Sequence, residues 1–278
     1  MKKQLVKIMS ITLIVTLSIA LFGCAPASTT NKGNSKSTMN KVDEIKKAGV
    51  IIVGTSGDYP PYEFHGEVNG KDEIIGFDIE IAKQIAKDLG VKLIIKDMKF
   101  DALLASLDTS KVDFVMAGMT PTPERSQNVD FSKIYYTAVQ TIVIRTIDKD
   151  LIKSLDNLKN KNISVQKGSI QEGIAKEQLP NSRAIALPKI SDEILELKHN
   201  KVDALIVETP VAEAYISSNK DLMLATIKLK GDDSGSAVAI KKGNSALVDE
   251  VNKTLNKLIA EKQIDKLVSA ATDKVIAK

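Results

Sequence analysis

Side chains able to do acid–base, nucleophilic or metal chemistry are sparse in this 278-residue chain, and their spacing does not suit catalysis. There are two histidines, His65 and His199, and one cysteine, Cys24. His65 follows Phe64 in a polar stretch, and His199 ends a helical pattern beside Asn200, a usual place for a surface or capping residue. Two distant histidines and one cysteine do not make a metal site. No Gly-x-Ser-x-Gly elbow occurs, and Ser217-Ser218-Asn219-Lys220 is a lone Ser-x-x-Lys without its companion motifs. A phosphate-binding loop is also missing from the sequence. No catalytic residue, metal or cofactor is therefore expected. What remains is the chemistry of binding. Arg125 can grip a carboxylate with two parallel hydrogen bonds. Pro121 and Pro123 stiffen its loop, and Thr120 adds a hydroxyl. The competing reading ties Arg125 to Asp130 as a loop brace. Gly168, Ser169 and Ile170 follow a strand and open a helix, where backbone amides can receive an anion. Ile170 offers only its backbone there. Glu208 follows the apolar run Ala204 to Val207, so it stands at the mouth of a buried strand; the alternative is a partner for the next helix's N-terminus.

These residues need elements to position them. Val50 to Gly54 reads as a buried strand. In Gly76 to Leu89, Phe77, Ile81, Ala82, Ile85 and Leu89 share one helical face, and Gly90 suits the C-terminal cap. Strands follow at Val91 to Ile95 and Val112 to Ala117, around a helix from Asp101 to Leu107. The second half repeats the theme: strand Ile163 to Val165, helix Ser169 to Gln178, helix Ser191 to His199, strand Val202 to Val207. Such alternation predicts mostly parallel α/β sheets. Lys111-Val112-Asp113-Phe114 and Lys201-Val202-Asp203-Ala204 open strands at equivalent points and argue for two similar lobes. In that arrangement Gly118 and Glu208 each fall at a strand's C-terminal end, where open sheets place ligands. A strand at Ala237 to Ile240 and a helical stretch from Ala246 to Val268 return to the first lobe. The chain then crosses between lobes twice, near Thr137 to Thr141 and near Ala225 to Lys228, and two crossings make a hinge.

The N-terminus is a targeting signal. Lys2, Lys3 and Lys7 precede an uncharged stretch from Ile8 to Phe22, too short for a comfortable membrane span. Leu21-Phe22-Gly23-Cys24 resembles the lipobox of bacterial lipoproteins, which implies a diacylated Cys24 after cleavage. Residues 1–23 are thus expected to be a signal peptide. Residues 24–40 are expected to be a flexible, lipid-anchored tether, because a segment so poor in apolar residues cannot offset its ordering entropy. Removing the three leader lysines lowers the formal net charge from +4 to +1, which leaves no electrostatic case for nucleic-acid binding.

The ordered series Gly76-Phe77-Asp78-Ile79-Glu80-Ile81-Ala82, Phe100-Asp101-Ala102-Leu103-Leu104, Lys111 to Thr120, Pro123-Glu124-Arg125, Val129-Asp130-Phe131-Ser132 and Tyr135-Tyr136 resembles the solute-binding proteins of polar amino-acid ABC transporters (the family 3 type). That resemblance implies a periplasmic-binding-protein-like α/β fold: two lobes, a two-strand hinge and a ligand cleft between them. Lobe 1 is expected at 41–138 and 227–278, and lobe 2 at 139–226. The resemblance also assigns roles to Arg125 (ligand carboxylate), to Glu208, the Gly118 carbonyl and Thr120 (ligand ammonium), and to Tyr59 and Phe100 (side-chain stacking). Asp58, Glu63 and Asp101 are expected near the side-chain pocket, which tilts the ligand towards arginine or lysine, with glutamine close behind. Ser56 stands where basic-amino-acid binders often carry Asp. The implied partners are a free L-amino acid, a membrane permease with separate ATPase subunits, and the outer membrane face through Cys24. A monomer is expected. A sensor receptor with the same cleft stays open as an alternative, and a dehydratase-like enzyme is the more distant one.

Overall fold

A computed structural model describes residues 39–230 and 233–276. Cys24, the signal peptide and nearly all of the expected tether lie outside the described residues. Asn40 does not belong to a tether: its side chain accepts the Asp43 N–H (3.0 Å) and caps α1 (Lys41–Ala48).

The first lobe begins with β1 (Val50–Thr55), β2 (Asp58–Tyr59), β3 (Glu63–Val68), β4 (Lys71–Ile75), α2 (Phe77–Leu89) and β5 (Lys92–Asp97). It continues through α3 (Leu103–Asp108), β6 (Phe114–Val115), α4 (Arg125–Asn128) and β7 (Val129–Phe131). The long strand β8 (Tyr136–Arg145) leads into the second lobe. That lobe contains β9 (Asn162–Gln166), α5 (Ile170–Gln178), β10 (Arg183–Leu187), α6 (Ile190–Lys198), β11 (Ala204–Glu208), α7 (Thr209–Ser218) and β12 (Leu222–Leu224). The chain returns through β13 (Asp233–Ser236) and β14 (Ala239–Lys241) to α8 (Ser245–Ala260) and α9 (Gln263–Ile276).

Both lobes follow one plan. Lobe 1 has the sheet order β5-β1-β6-β14-β7, and lobe 2 has β10-β9-β11-β8-β12. In each, three parallel strands are followed by one antiparallel strand, β14 or β8, and by an edge strand, β7 or β12, that pairs antiparallel with it. The sheets are therefore mixed where the alternating pattern predicts mostly parallel ones, because the interlobe strand and the returning strand enter from the opposite direction.

The repeated Lys-Val-Asp motif has a physical purpose in both lobes. Asp113 accepts the Ile52 N–H at 2.8 Å, and its own N–H donates to the Ile52 carbonyl at 2.8 Å. Asp203 accepts the Asn162 N–H at 2.9 Å and donates to the Asn162 carbonyl at 2.8 Å. A lysine faces each carboxylate, Lys41 at 2.7 Å and Lys161 at 3.2 Å. Each Asp thus extends the ladder one step before its strand and fixes the register in which β6 and β11 reach the cleft.

Two antiparallel strands connect the lobes. Residues Tyr136 to Val139 of β8 pair with β13, and residues Gln140 to Arg145 pair with β11 or β12 of the second lobe. The first crossing is β8, which changes partners between Val139 and Gln140. The second lies at Asp233–Ser236, later than the expected Ala225 to Lys228, because Ala225, Ile227 and Leu229 are buried in the second-lobe core.

The first lobe also carries a small antiparallel sheet, β2-β3-β4. Asn69 (φ +52°) and Gly70 (φ +77°) make the left-handed turn between β3 and β4, the pairing that a two-residue hairpin favours. This sheet meets α2 at Gly76, whose φ is +132° and whose missing Cβ would lie 2.1 Å from the Tyr62 carbonyl oxygen. Gly76→Ala is expected to destabilise the fold by at least about 2 kcal/mol through backbone strain plus the clash. Urea denaturation monitored by circular dichroism measures it, and an unchanged midpoint would contradict this packing.

Candidate functional site

Burial dictates which polar residues matter between the lobes. A group removed from water must find a partner or bear a desolvation cost, so the buried polar side chains at strand ends mark the site. One cavity is lined by Tyr59, Phe100, Gly118, Thr120 and Arg125 from lobe 1 and by Ser169, Ile170 and Glu208 from lobe 2. These are eight of the nine candidate ligand-binding residues. Ala117, Gln166 and Gln171 complete its walls.

Arg125 opens the short helix α4, which the Thr122 hydroxyl secures by accepting the Arg125 N–H at 3.1 Å. Its guanidinium donates to the Thr120 carbonyl (2.7 Å) and, across the cleft, to the Gly168 carbonyl (2.8 Å). Its Cζ lies 5.4 Å from the centre of the Phe100 ring, a cation–π distance. These carbonyl bonds use two of its five N–H donors. Burial lowers its pKa to about 10, which keeps it a cation at neutral pH. The brace to Asp130 is not formed: Asp130 accepts from the Gly243 N–H (2.8 Å) and pairs with Lys242 (3.2 Å).

Glu208 ends β11 with 1% of its surface exposed. Its Oε1 accepts from the Gln140 amide at 3.4 Å, and the Gln140 oxygen accepts from Gln171 at 2.8 Å. Burial, followed by the charge of Glu208, raises the hydroxyl pKa of both Tyr59 and Tyr62. Gly118 follows β6 at φ +55° and packs beside Tyr59 and Tyr62. The cavity therefore presents one cation, Arg125, on the first lobe and one carboxyl group, Glu208, on the second.

The helix-opening amides behave differently from one another. Glu172 accepts the Gly168 N–H at 2.5 Å. Ser169 folds back, with its N–H (3.1 Å) and hydroxyl (2.6 Å) both donating to the Gln166 carbonyl. Gln140, Gln166 and Gln171 escape the sequence reading. Gln166 ends β9 as Gly118 and Glu208 follow or end their strands, so strand-end position was the signal that could have found it. Gln171 sits in the first turn of α5, directly after Ser169 and Ile170. Gln140 lies within β8 and carries no such signal.

The acids expected at the side-chain pocket are engaged elsewhere. Asp58, the ninth candidate, is not part of the cavity wall. Its carboxylate accepts the Ile190 N–H at the start of α6 (2.6 Å) and the Ser56 hydroxyl (3.2 Å), and its carbonyl accepts the Tyr215 hydroxyl (2.9 Å). Since Ile190 and Tyr215 belong to lobe 2, Asp58 is a clasp between lobes. Asp101 makes a second clasp with Lys167, at 2.8 Å. Glu63 is wholly buried beneath the cleft.

This geometry defines a two-lobed binding protein that sets a cation and a carboxyl group across its cleft. The chain belongs to the bacterial extracellular solute-binding proteins, family 3, which it matches over residues 51–271. It is 43% identical over 221 residues to the arginine-binding extracellular protein ArtP of Bacillus subtilis (strain 168), covering 78% of this chain and 84% of that protein. A structure of the amino-acid ABC transporter substrate-binding protein AbpA of Streptococcus pneumoniae bound to L-arginine superposes with a TM-score of 0.82. The two are 40% identical, over 85% of this chain and all of the other. An ancestral amino-acid-binding protein, AncCDT-1, described as a precursor of cyclohexadienyl dehydratase, is 35% identical over 83% of this chain and 99% of its own, with a TM-score of 0.76. The relatives are binding proteins, and the chain is an amino-acid ABC transporter substrate-binding protein.

Asp58 offers a test of closure that spares the cavity wall. Asp58→Ala removes hydrogen bonds made by a carboxylate, worth about 1.5–3 kcal/mol, and is expected to weaken a cleft ligand by roughly tenfold to a hundredfold. Unchanged affinity in a calorimetric titration would show that the clasp is not coupled to binding.

Proposed function

We propose that this protein captures free L-arginine in its cleft and delivers it to the membrane permease of an ABC importer while a lipid on Cys24 holds it at the outer face of the cell membrane. One observation carries the reading: the cavity sets the Arg125 guanidinium on one lobe opposite Glu208 on the other. A zwitterionic amino acid complements that pair, with its carboxylate on Arg125 and its ammonium on Glu208, the Gly118 carbonyl and Thr120. Tyr59 and Phe100 then enclose the side chain. The choice of arginine rests on the names of ArtP and of arginine-bound AbpA, with lysine and glutamine next. It does not rest on acids at the pocket, since Asp58 and Asp101 are tied into the interlobe clasps. The amide groups of Gln166 and Gln171 are neutral partners of the kind a guanidinium can use as hydrogen-bond acceptors.

Isothermal titration against the twenty L-amino acids and the D-enantiomers of the binders tests this directly. L-arginine is expected to bind at micromolar concentration or tighter, about −8 kcal/mol. Arg125→Ala is expected to lose about 2–5 kcal/mol of that, since it strands a carboxylate in a buried cleft. Arg125→Lys should recover only part, because an ammonium cannot reproduce the two parallel bonds. Binding of none of the amino acids would refute the reading.

A further inference from the structure

Directly beneath the cleft lies a pair of acids that ligand capture does not use. Glu63 on β3 and Asp78 in the first turn of α2 are both fully buried. Their surroundings differ sharply. Asp78 accepts the Gly118 N–H at 3.0 Å and the Tyr135 hydroxyl, which lies 2.8 Å from each of its oxygens. Neither oxygen of Glu63 receives an N–H or hydroxyl donor among the described residues. The acids whose fields reach it are Asp78 on α2, Asp58 on β2 and Glu208 at the end of β11, and Tyr59 and Tyr135 face it in turn. Glu63 and Asp78 act on each other through charge and through a side-chain hydrogen bond that needs one of them to carry a proton.

A buried carboxylate without a donor, surrounded by acids, is far costlier than the neutral acid in the same place. We propose that Glu63 is a neutral carboxylic acid in the folded protein, with its proton turned to the Asp78 carboxylate, and that this singly protonated pair positions Gly118 in the ligand cleft. Asp78 is then a positioning residue. It holds the N–H of Gly118, and the Gly118 carbonyl is the group expected to receive the ligand's ammonium. The consequence for affinity rests on the proposed function, whereas the protonation of Glu63 does not.

The directions of titration follow from the same geometry. Burial raises the Asp78 pKa to about 6 against the donors that lower it, and burial followed by the Asp78 charge holds Glu63 well above the usual range. The pair therefore carries one proton above about pH 6 and until Glu63 ionises. Below that window Asp78 gains a proton, loses acceptor capacity and loosens Gly118. Both acids have folded values raised above their unfolded ones. Each thus contributes most to stability below its unfolded pKa, and that contribution is lost as pH rises through the folded value. For Asp78 the loss falls between 3.8 and about 6; for Glu63 it begins above 4.5 and extends upward.

Infrared difference spectroscopy of the intact folded protein reads the proton itself. At neutral pH the spectrum should contain the carbonyl band of a buried carboxylic acid that disappears in Glu63→Gln. The buried Glu193, which accepts from Ser164 at 3.1 Å, serves as an unaffected reference. The melting temperature of Glu63→Gln should gain on the wild type as pH rises. Asp78→Asn should weaken binding about tenfold or more by loosening Gly118. It should also shift loss of the Glu63 band to lower pH, because the negative neighbour is gone. Absence of a Glu63-dependent band in the wild type, or a band unmoved by Asp78→Asn, would overturn the proposal. Failure of the wild type to bind any amino acid would overturn the functional reading alone, because the band is measured without ligand.

Discussion

A charge taken out of water must meet its opposite, and here the two opposites sit on different bodies. The half-buried guanidinium of Arg125 belongs to the first lobe, and the buried carboxyl of Glu208 to the second. One lobe by itself satisfies only one end of a zwitterion. Both ends are matched only when the lobes are together, so a ligand with an ammonium and a carboxylate favours the closed arrangement by its differential affinity. The direct interlobe bonds assist this closure without replacing it. Arg125 to Gly168, Asp58 to Ile190 and Asp101 to Lys167 are individually modest contacts.

The fold supplies the precision that such a division requires. In each lobe an aspartate continues the sheet ladder by one step, Asp113 on Ile52 and Asp203 on Asn162. The strands that follow, β6 and β11, then reach the cleft in fixed register, with Gly118 beyond one and Glu208 at the end of the other. Gly76 lets the β2-β3-β4 sheet rest directly against the start of α2, where an ordinary residue would collide with the Tyr62 carbonyl. That contact brings Glu63 to Asp78, and Asp78 to Gly118. Backbone permissiveness at one glycine is therefore connected to the polar geometry of the site by three packed steps.

Much of this was legible in the residues because the signals were local. Helix α2 shows its apolar face and its Gly90 cap, and α5 and α6 lie within a residue of where periodicity puts them. The Lys-Val-Asp repeat pointed to two similar lobes, and Arg125, Gly118 and Glu208 followed from chemistry and strand-end position together with the family resemblance. Other features depend on tertiary contacts that a linear pattern does not carry. The second hinge strand lies later than expected because Ala225, Ile227 and Leu229 fill the second-lobe core before the chain leaves it. Asp58 reads as an acid near the side-chain pocket, yet its carboxylate accepts from a residue 132 positions away at the start of α6. Gln140 lies among threonines and apolar residues of β8, and only its contacts with Glu208 and Gln171 reveal what it supports. The Asn69-Gly70 turn is the contrary case, a plain hairpin signal between two strands too polar to announce themselves.

The central claim is that ligand capture and lobe closure are one event, driven by charges held on opposite lobes. A fluorescent pair placed on exposed Leu151 of lobe 2 and exposed Ile259 of lobe 1, introduced as cysteines in a protein lacking Cys24, measures that event during a titration with L-arginine. The account predicts a single shortening of the interlobe distance that saturates at the same concentration as the calorimetric heat and is lost in Arg125→Ala. Heat released with no change in distance would contradict it, because the ligand would then be bound by one lobe without the other.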